Sequence, residues 1–131
     1  MSFKIDFLDH IAIKVKDIEI SVNWYTKVLC LKKFSPDEWG GYPVLVYANK
    51  SGIAIFPAEL DDEKIPKNSN NVRLDHFAFN VSLDNFNKAK NHFKLLNIEY
   101  KFKDHLYFHS IYIKDPDDHN IELTTQIKDI K

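Results

Sequence analysis

The sequence predicts an α+β fold built of two tandem βαβββ modules. Three observations predict it. A five-residue pattern occurs twice, as Leu8-Asp9-His10-Ile11-Ala12 and as Leu74-Asp75-His76-Phe77-Ala78, 66 residues apart in a chain of 131. Val15 and Val81 keep the same register. The order strand, helix and three strands then recurs on either side of the midpoint, and the strand runs alternate so that each keeps one apolar face.

Residues 7–15 form the first strand, with His10, Ala12 and Lys14 on one face and Ile11, Ile13 and Val15 on the other. Asp17 is the expected N-cap of a helix that carries Ile18, Val22, Tyr25 and Val28-Leu29 at helical spacing. Short strands follow at 32–35, 42–48 and 53–56, broken by the turn-rich stretches 36–41 and 49–52. In the second half, residues 74–81 place His76, Ala78 and Asn80 opposite Phe77, Phe79 and Val81. Ser82 caps a helix with Phe86, Ala89, Phe93 and Leu96 on one stripe. Strands at 99–102, 108–114 and 120–125 complete the repeat. The chain thus reads as a single domain over 1–131, with one module at about 5–58, a polar linker with Pro66 at 59–71, and a second module at about 72–126.

Composition narrows the function. Hydrophobic residues at 44% and charged residues at 28% are ordinary for a globular protein. A net charge of −1 argues against a nucleic-acid partner, which needs a clustered basic surface. No apolar run approaches the roughly 20 residues that span a bilayer, and the start is not that of a signal peptide. No membrane partner is expected, and the expected compartment is the cytoplasm. Cys30, the single cysteine, excludes an intrachain disulfide and reads as a small buried hydrophobe near a helix end.

His10, His76 and Glu122 form the candidate metal site, each on a strand whose other face is apolar. Two imidazoles and one carboxylate suit one divalent ion of Fe, Mn, Ni, Co or Zn, and three protein ligands leave positions open for substrate. Strand alternation puts Asp9 and Asp75 on the far side from the histidines, so neither is expected to partner the adjacent imidazole. Alternation puts His109 on the face opposite Tyr112, so at most one of those two faces the site, and His105 is taken as a substrate-binding candidate. Lys14 continues the inward face past His10, and Trp39 follows Pro36-Asp37-Glu38 in a loop. Both are further substrate-binding candidates. His119 sits in a turn and is expected to bond backbone.

The Leu-Asp-His-x-Ala-x-x-Val run, the helix with Trp24-Tyr25 and Leu29, and the run Asp115-Pro116-Asp117-Asp118-His119-Asn120-Ile121-Glu122-Leu123 together resemble the vicinal oxygen chelate superfamily. That superfamily includes glyoxalase I, fosfomycin resistance proteins, extradiol dioxygenases and bleomycin resistance proteins. The resemblance covers essentially the whole chain. It implies a cup-shaped, partly closed mixed β-barrel with helices outside, and ligands at His10, His76 and Glu122. It also implies a small-molecule substrate that chelates the metal through two oxygens. Glyoxalase I-like members carry a fourth ligand on the last strand of the first module, where this chain has Ile55 or Phe56. The three-ligand set is closer to fosfomycin-modifying enzymes and extradiol dioxygenases, whose tyrosine ten residues before the ligand glutamate corresponds to Tyr112, the catalytic candidate. The expected function is a small-molecule metalloenzyme: a lyase or isomerase, a fosfomycin-type epoxide-opening enzyme, or a dioxygenase. The alternative is a non-catalytic binding protein of the bleomycin resistance type. A homodimer is the expected assembly.

Overall fold

A computed structural model describes residues 2–60, 62, 68–70 and 72–129. The chain divides into two compact units, Met1–Ser69 and Asn70–Lys131. Each has the order βαβββ, as the repeat predicts. Pro66 and most of the expected linker lie outside the described residues.

In the first unit, strand β1 (His10–Val15) is followed by helix α1 (Ile18–Val28) and strands β2 (Lys32–Phe34), β3 (Val44–Ala48) and β4 (Ser51–Pro57). The sheet order is β1-β4-β3-β2, with β1 and β4 parallel and the other pairs antiparallel. The Asp17 carboxylate accepts the Ile20 N–H at 3.1 Å, satisfying one of the donors that a helix start leaves open. Val22, Tyr25 and Val28 are buried on α1, and Val44, Val46, Ile53 and Ile55 are buried on the strands. The alternation in β1 holds: Ile13 and Val15 are buried while His10, Ala12 and Lys14 are exposed.

The second unit repeats this with β5 (Phe77–Asn80), α2 (Leu83–Leu95), β6 (Lys101–Asp104), β7 (Phe108–Lys114) and β8 (Asn120–Gln126), in sheet order β5-β8-β7-β6. Ser82 caps α2 by accepting the Asn85 N–H at 3.1 Å. Phe86 and Phe93 are the large buried side chains of α2, and Ile111, Ile113, Ile121 and Leu123 are buried on β7 and β8.

Cys30 departs from expectation: it is exposed, not buried. It follows the C-cap Leu29 with φ 57°, the left-handed conformation that ends many helices and turns the side chain outward. Asn97 takes the same place after α2, with φ 56°. The first strand of each module also begins later than the sequence suggests, at His10 and at Phe77, so His76 stands just before β5 and not on it. His119 bonds a side chain instead of backbone. Its Nδ1 lies 2.8 Å from Asp115 Oδ2, while Asp115 Oδ1 accepts the N–H groups of Asp117 and His119 at 2.9 Å each. One buried carboxylate therefore holds the whole β7–β8 turn.

The strand registers settle which residue of the first unit corresponds to Glu122. Ala12 pairs with Ala54, and its counterpart Ala78 pairs with Glu122. The matching position is therefore Ala54, not Ile55 or Phe56. The repeats drift because Asn49 and Lys50 alone connect β3 to β4, whereas residues 115–119 connect β7 to β8. Ile55 is fully buried on the opposite face from Ala54. The position remains apolar, and Ala54 offers no metal ligand.

Two predictions follow from these contacts. Phe93→Ala, which empties the centre of the second unit, lowers unfolding free energy by about 3–5 kcal/mol in urea titration. The Asp115 hydrogen bond raises the His119 pKa above 6.5, so the folded state binds this proton more tightly than the unfolded chain. That stabilisation is complete below about pH 6.5 and is lost as pH rises through the folded-state value. His119→Gln removes this part of the fall in stability, read as the difference between the two proteins' pH–stability curves.

Candidate active site

In the second unit, β8 is central to the arrangement. Ile121 and Leu123 are buried in the core, so alternation turns Glu122 and Thr124 to the other face. Register places Tyr112 beside Glu122 and Ser110 beside Thr124. Glu122 is 8% exposed, and its two carboxylate oxygens have separate partners. Ser110 Oγ donates to Oε2 at 2.5 Å, and His76 Nε2 lies 3.0 Å from Oε1. The Thr124 hydroxyl, 3.1 Å from Ser110 Oγ, can donate to the oxygen that the Ser110 proton has left open.

Asp75 does partner His76, against the expectation from alternation. Its Oδ2 lies 2.6 Å from His76 Nδ1, and Asp9 Oδ1 lies 2.8 Å from His10 Nδ1 in the first unit. Alternation is a rule for strand residues, and both aspartates precede the strand ends, where the backbone is free to turn the carboxylate toward its neighbour. Asn120 Nδ2 donates to the Asp75 carbonyl at 3.2 Å and tethers that segment to β8. The Asp75 hydrogen bond is the main cause of a raised His76 pKa, reinforced by the Glu122 charge and opposed by burial.

Tyr112 stands beside this pair. Its ring meets the His76 ring edge-on at 5.9 Å between centroids, and its hydroxyl lies 2.9 Å from His105 Nε2. Burial is the main cause that raises its pKa above 10, with the Glu122 charge adding to it, so the group stays a phenol at neutral pH. His105, in the turn before β7, is on the Tyr112 side. His109 instead packs edge-on against Phe102 at 5.0 Å, with Asp104 at 3.6 Å. The hairpin between β6 and β7 turns through Leu106 at φ 73°, with the Leu106 N–H held by Asp104 Oδ1 at 2.8 Å. A bulky residue in this conformation is uncommon and marks a loop whose shape is imposed by its surroundings.

Structure therefore gathers His76, Glu122, Tyr112 and His105, with Asp75, Ser110 and Asn120 as supports that the sequence reading did not single out. Ser110 was detectable, since alternation along β7 places it on the face of Tyr112. The first-unit candidates have other surroundings. Lys14 Nζ is paired with Asp62 Oδ1 at 2.6 Å, which raises its pKa and offsets its charge. Trp39 closes a short 3-10 turn (Asp37–Trp39) and packs edge-on against Phe34 at 5.3 Å. Among the described residues no group of three or more His, Cys, Asp and Glu side chains gathers as a metal-holding set. Within the second unit the two convergent donors are His76 Nε2 and Glu122 Oε1.

Comparison with known proteins agrees with this architecture. Over 125 residues, 90% of the chain, it is 27% identical to the metallothiol transferase FosB of Lysinibacillus sphaericus (strain C3-41), covering 81% of that protein. The solved structure of the integron cassette protein VCH_CASS1 of V. cholerae matches with a TM-score of 0.68 at 26% identity, over 95% of this chain and 98% of that one. A glyoxalase/dioxygenase from Nostoc punctiforme shares the fold with a TM-score of 0.75 at 20% identity, over 93% of this chain and 92% of that one. No helix of the described residues is long and apolar enough to cross a membrane. The family model matches residues 7–123, and the chain belongs to the glyoxalase/bleomycin resistance protein/dioxygenase superfamily.

Proposed function

We propose that the chain is a metal-dependent enzyme that adds a nucleophile, a thiol foremost, to a small oxygen-bearing electrophile. The observation that carries this reading is the arrangement of His76 and Glu122. Each has its outer polar atom tied, Nδ1 to Asp75 and Oε2 to Ser110, while Nε2 and Oε1 converge to 3.0 Å. Metal-binding histidines ordinarily donate their other ring N–H to a carboxylate or carbonyl, and ligating carboxylates are themselves hydrogen-bonded. The donor chemistry therefore fits a divalent ion held by His76 and Glu122, with His10, whose Nδ1 is tied in the same way to Asp9, as the third ligand.

When bound, such an ion polarises the substrate's oxygens and stabilises negative charge that develops on one of them. The chain's own part is to position and to donate. With His105 Nε2–H donating to the phenol oxygen, the Tyr112 proton is left for a substrate oxygen. The kinship to a metallothiol transferase supports thiol transfer over ring cleavage. The ion pair of Lys14 with Asp62 and the packing of Trp39 on Phe34 leave the second unit as the main source of substrate contacts. A homodimer in the cytoplasm completes the reading.

Calorimetry on chelator-stripped protein tests the ligand set. Uptake of one Mn, Ni, Co or Zn ion per chain is expected, with His10→Ala, His76→Ala and Glu122→Gln each abolishing tight binding. Ser110→Ala is expected to weaken it by about 10–100-fold, the usual effect of losing a hydrogen bond to a ligand. Absence of uptake, with no thermal shift on adding these ions, overturns the reading. For the metal-loaded protein, loss of free thiol in the presence of an epoxide is the expected activity, reduced at least tenfold in Tyr112→Phe. Tight substrate binding without turnover would favour the bleomycin resistance type of function instead.

A further inference from the structure

Strand β6 begins at Lys101, paired with Tyr112, whereas β7 runs on to Lys114. A cavity of about 720 Å³ lies at this end of the second unit. Three lysines from three elements line it: Lys94 from the last turn of α2, Lys101 at the start of β6 and Lys114 at the end of β7. Glu99 is the single carboxylate among its lining residues, so the lining carries three positive charges against one negative. None of the three lysines is in an ion pair with a described residue, unlike Lys14 and Lys88. Ile98, Ile113 and Tyr112 give the cavity apolar wall. An apolar recess with a few convergent charges is the usual form of a small-molecule site, and uncompensated ammonium groups around it favour an anion.

Tyr112 belongs to this cavity and also to the His76–Glu122 pair. Register makes the connection quantitative. Lys101, Tyr112 and Glu122 are successive cross-strand neighbours on one face of the sheet. At about 4.8 Å per strand, Lys101 and Glu122 are roughly 10 Å apart along that row, within the length of one small molecule.

We infer that this cavity binds the carboxylate or phosphate group of a small acidic ligand, held by Lys101 and Lys114 with Lys94 at the rim. Such a ligand passes over Tyr112 toward Glu122. The second statement rests on the proposed function; anion binding itself does not.

The test uses the full chain without metal, at low salt, followed by amide NMR during titration with inorganic phosphate and, separately, with succinate. Saturable shifts are expected at 97–101 and 112–114 and not at 10–15. The probe with the lower Kd identifies the anion class. The double variant Lys101→Met/Lys114→Met is expected to raise that Kd at least tenfold. Lys32→Met/Lys33→Met removes the same net charge from residues that do not line the cavity and is expected to change it less than twofold. His76→Ala is expected to leave it unchanged, so failure of the metal reading does not disturb this result. No saturable shift with either probe up to about 50 mM, or equal weakening by both double lysine variants, overturns the inference.

Discussion

Glu122 has little contact with water, and a carboxylate in that position costs several kcal/mol unless its charge is met by donors. Its place is set by its neighbours: Ile121 and Leu123 are held in the core, so Glu122 must face the other way. From that constraint the rest of the arrangement follows. Ser110 and His76 each satisfy one oxygen, Asp75 orients His76, and Asn120 ties Asp75 back to the strand that carries Glu122. The hydrogen bonds close a loop in which each residue fixes the next, and the Asp115 turn delivers Asn120 to the start of β8.

The two units share a topology and divide the chemistry unequally. By register Ala54 corresponds to Glu122 and, two residues earlier, Gly52 corresponds to Asn120. Gly52 has no room for more, since a Cβ there would stand 2.8 Å from the Val46 carbonyl oxygen. The first unit thus keeps a histidine with its aspartate, and the Gly52 N–H holds the Asp9 carbonyl at 3.0 Å, but it lacks the carboxylate. The second unit carries the buried charge, the phenol and the basic cavity.

Much of this was legible in the chain. The repeat located both units, the helix stripes and caps at Asp17 and Ser82 were readable from spacing, and alternation set His109 on the face away from Tyr112. What could not be read depended on lengths and end effects. The β3–β4 and β7–β8 turns differ in length, so counting along the sequence set Ile55 or Phe56 against Glu122, where pairing sets Ala54. Asp9 and Asp75 lie just before the first strand residues, where period-two reasoning no longer constrains direction. Cys30 was judged by residue type, whereas its exposure comes from the backbone twist that ends α1. The basic cavity joins residues from a helix, a loop and three strands, a combination that no spacing rule collects.

Strands β2 and β6, each at one edge of its sheet, have a consequence of a different kind. Every residue of both is exposed, and each leaves one row of backbone groups unpaired within its own sheet. Such a row is a template on which a second copy can add strands, the first step toward fibrils. Lys32 and Lys33 place positive charge on both faces of β2, and Lys101 and Lys103 place two on one face of β6. Edge-to-edge stacking of like strands would bring these ammonium groups together, so the lysines disfavour that pairing.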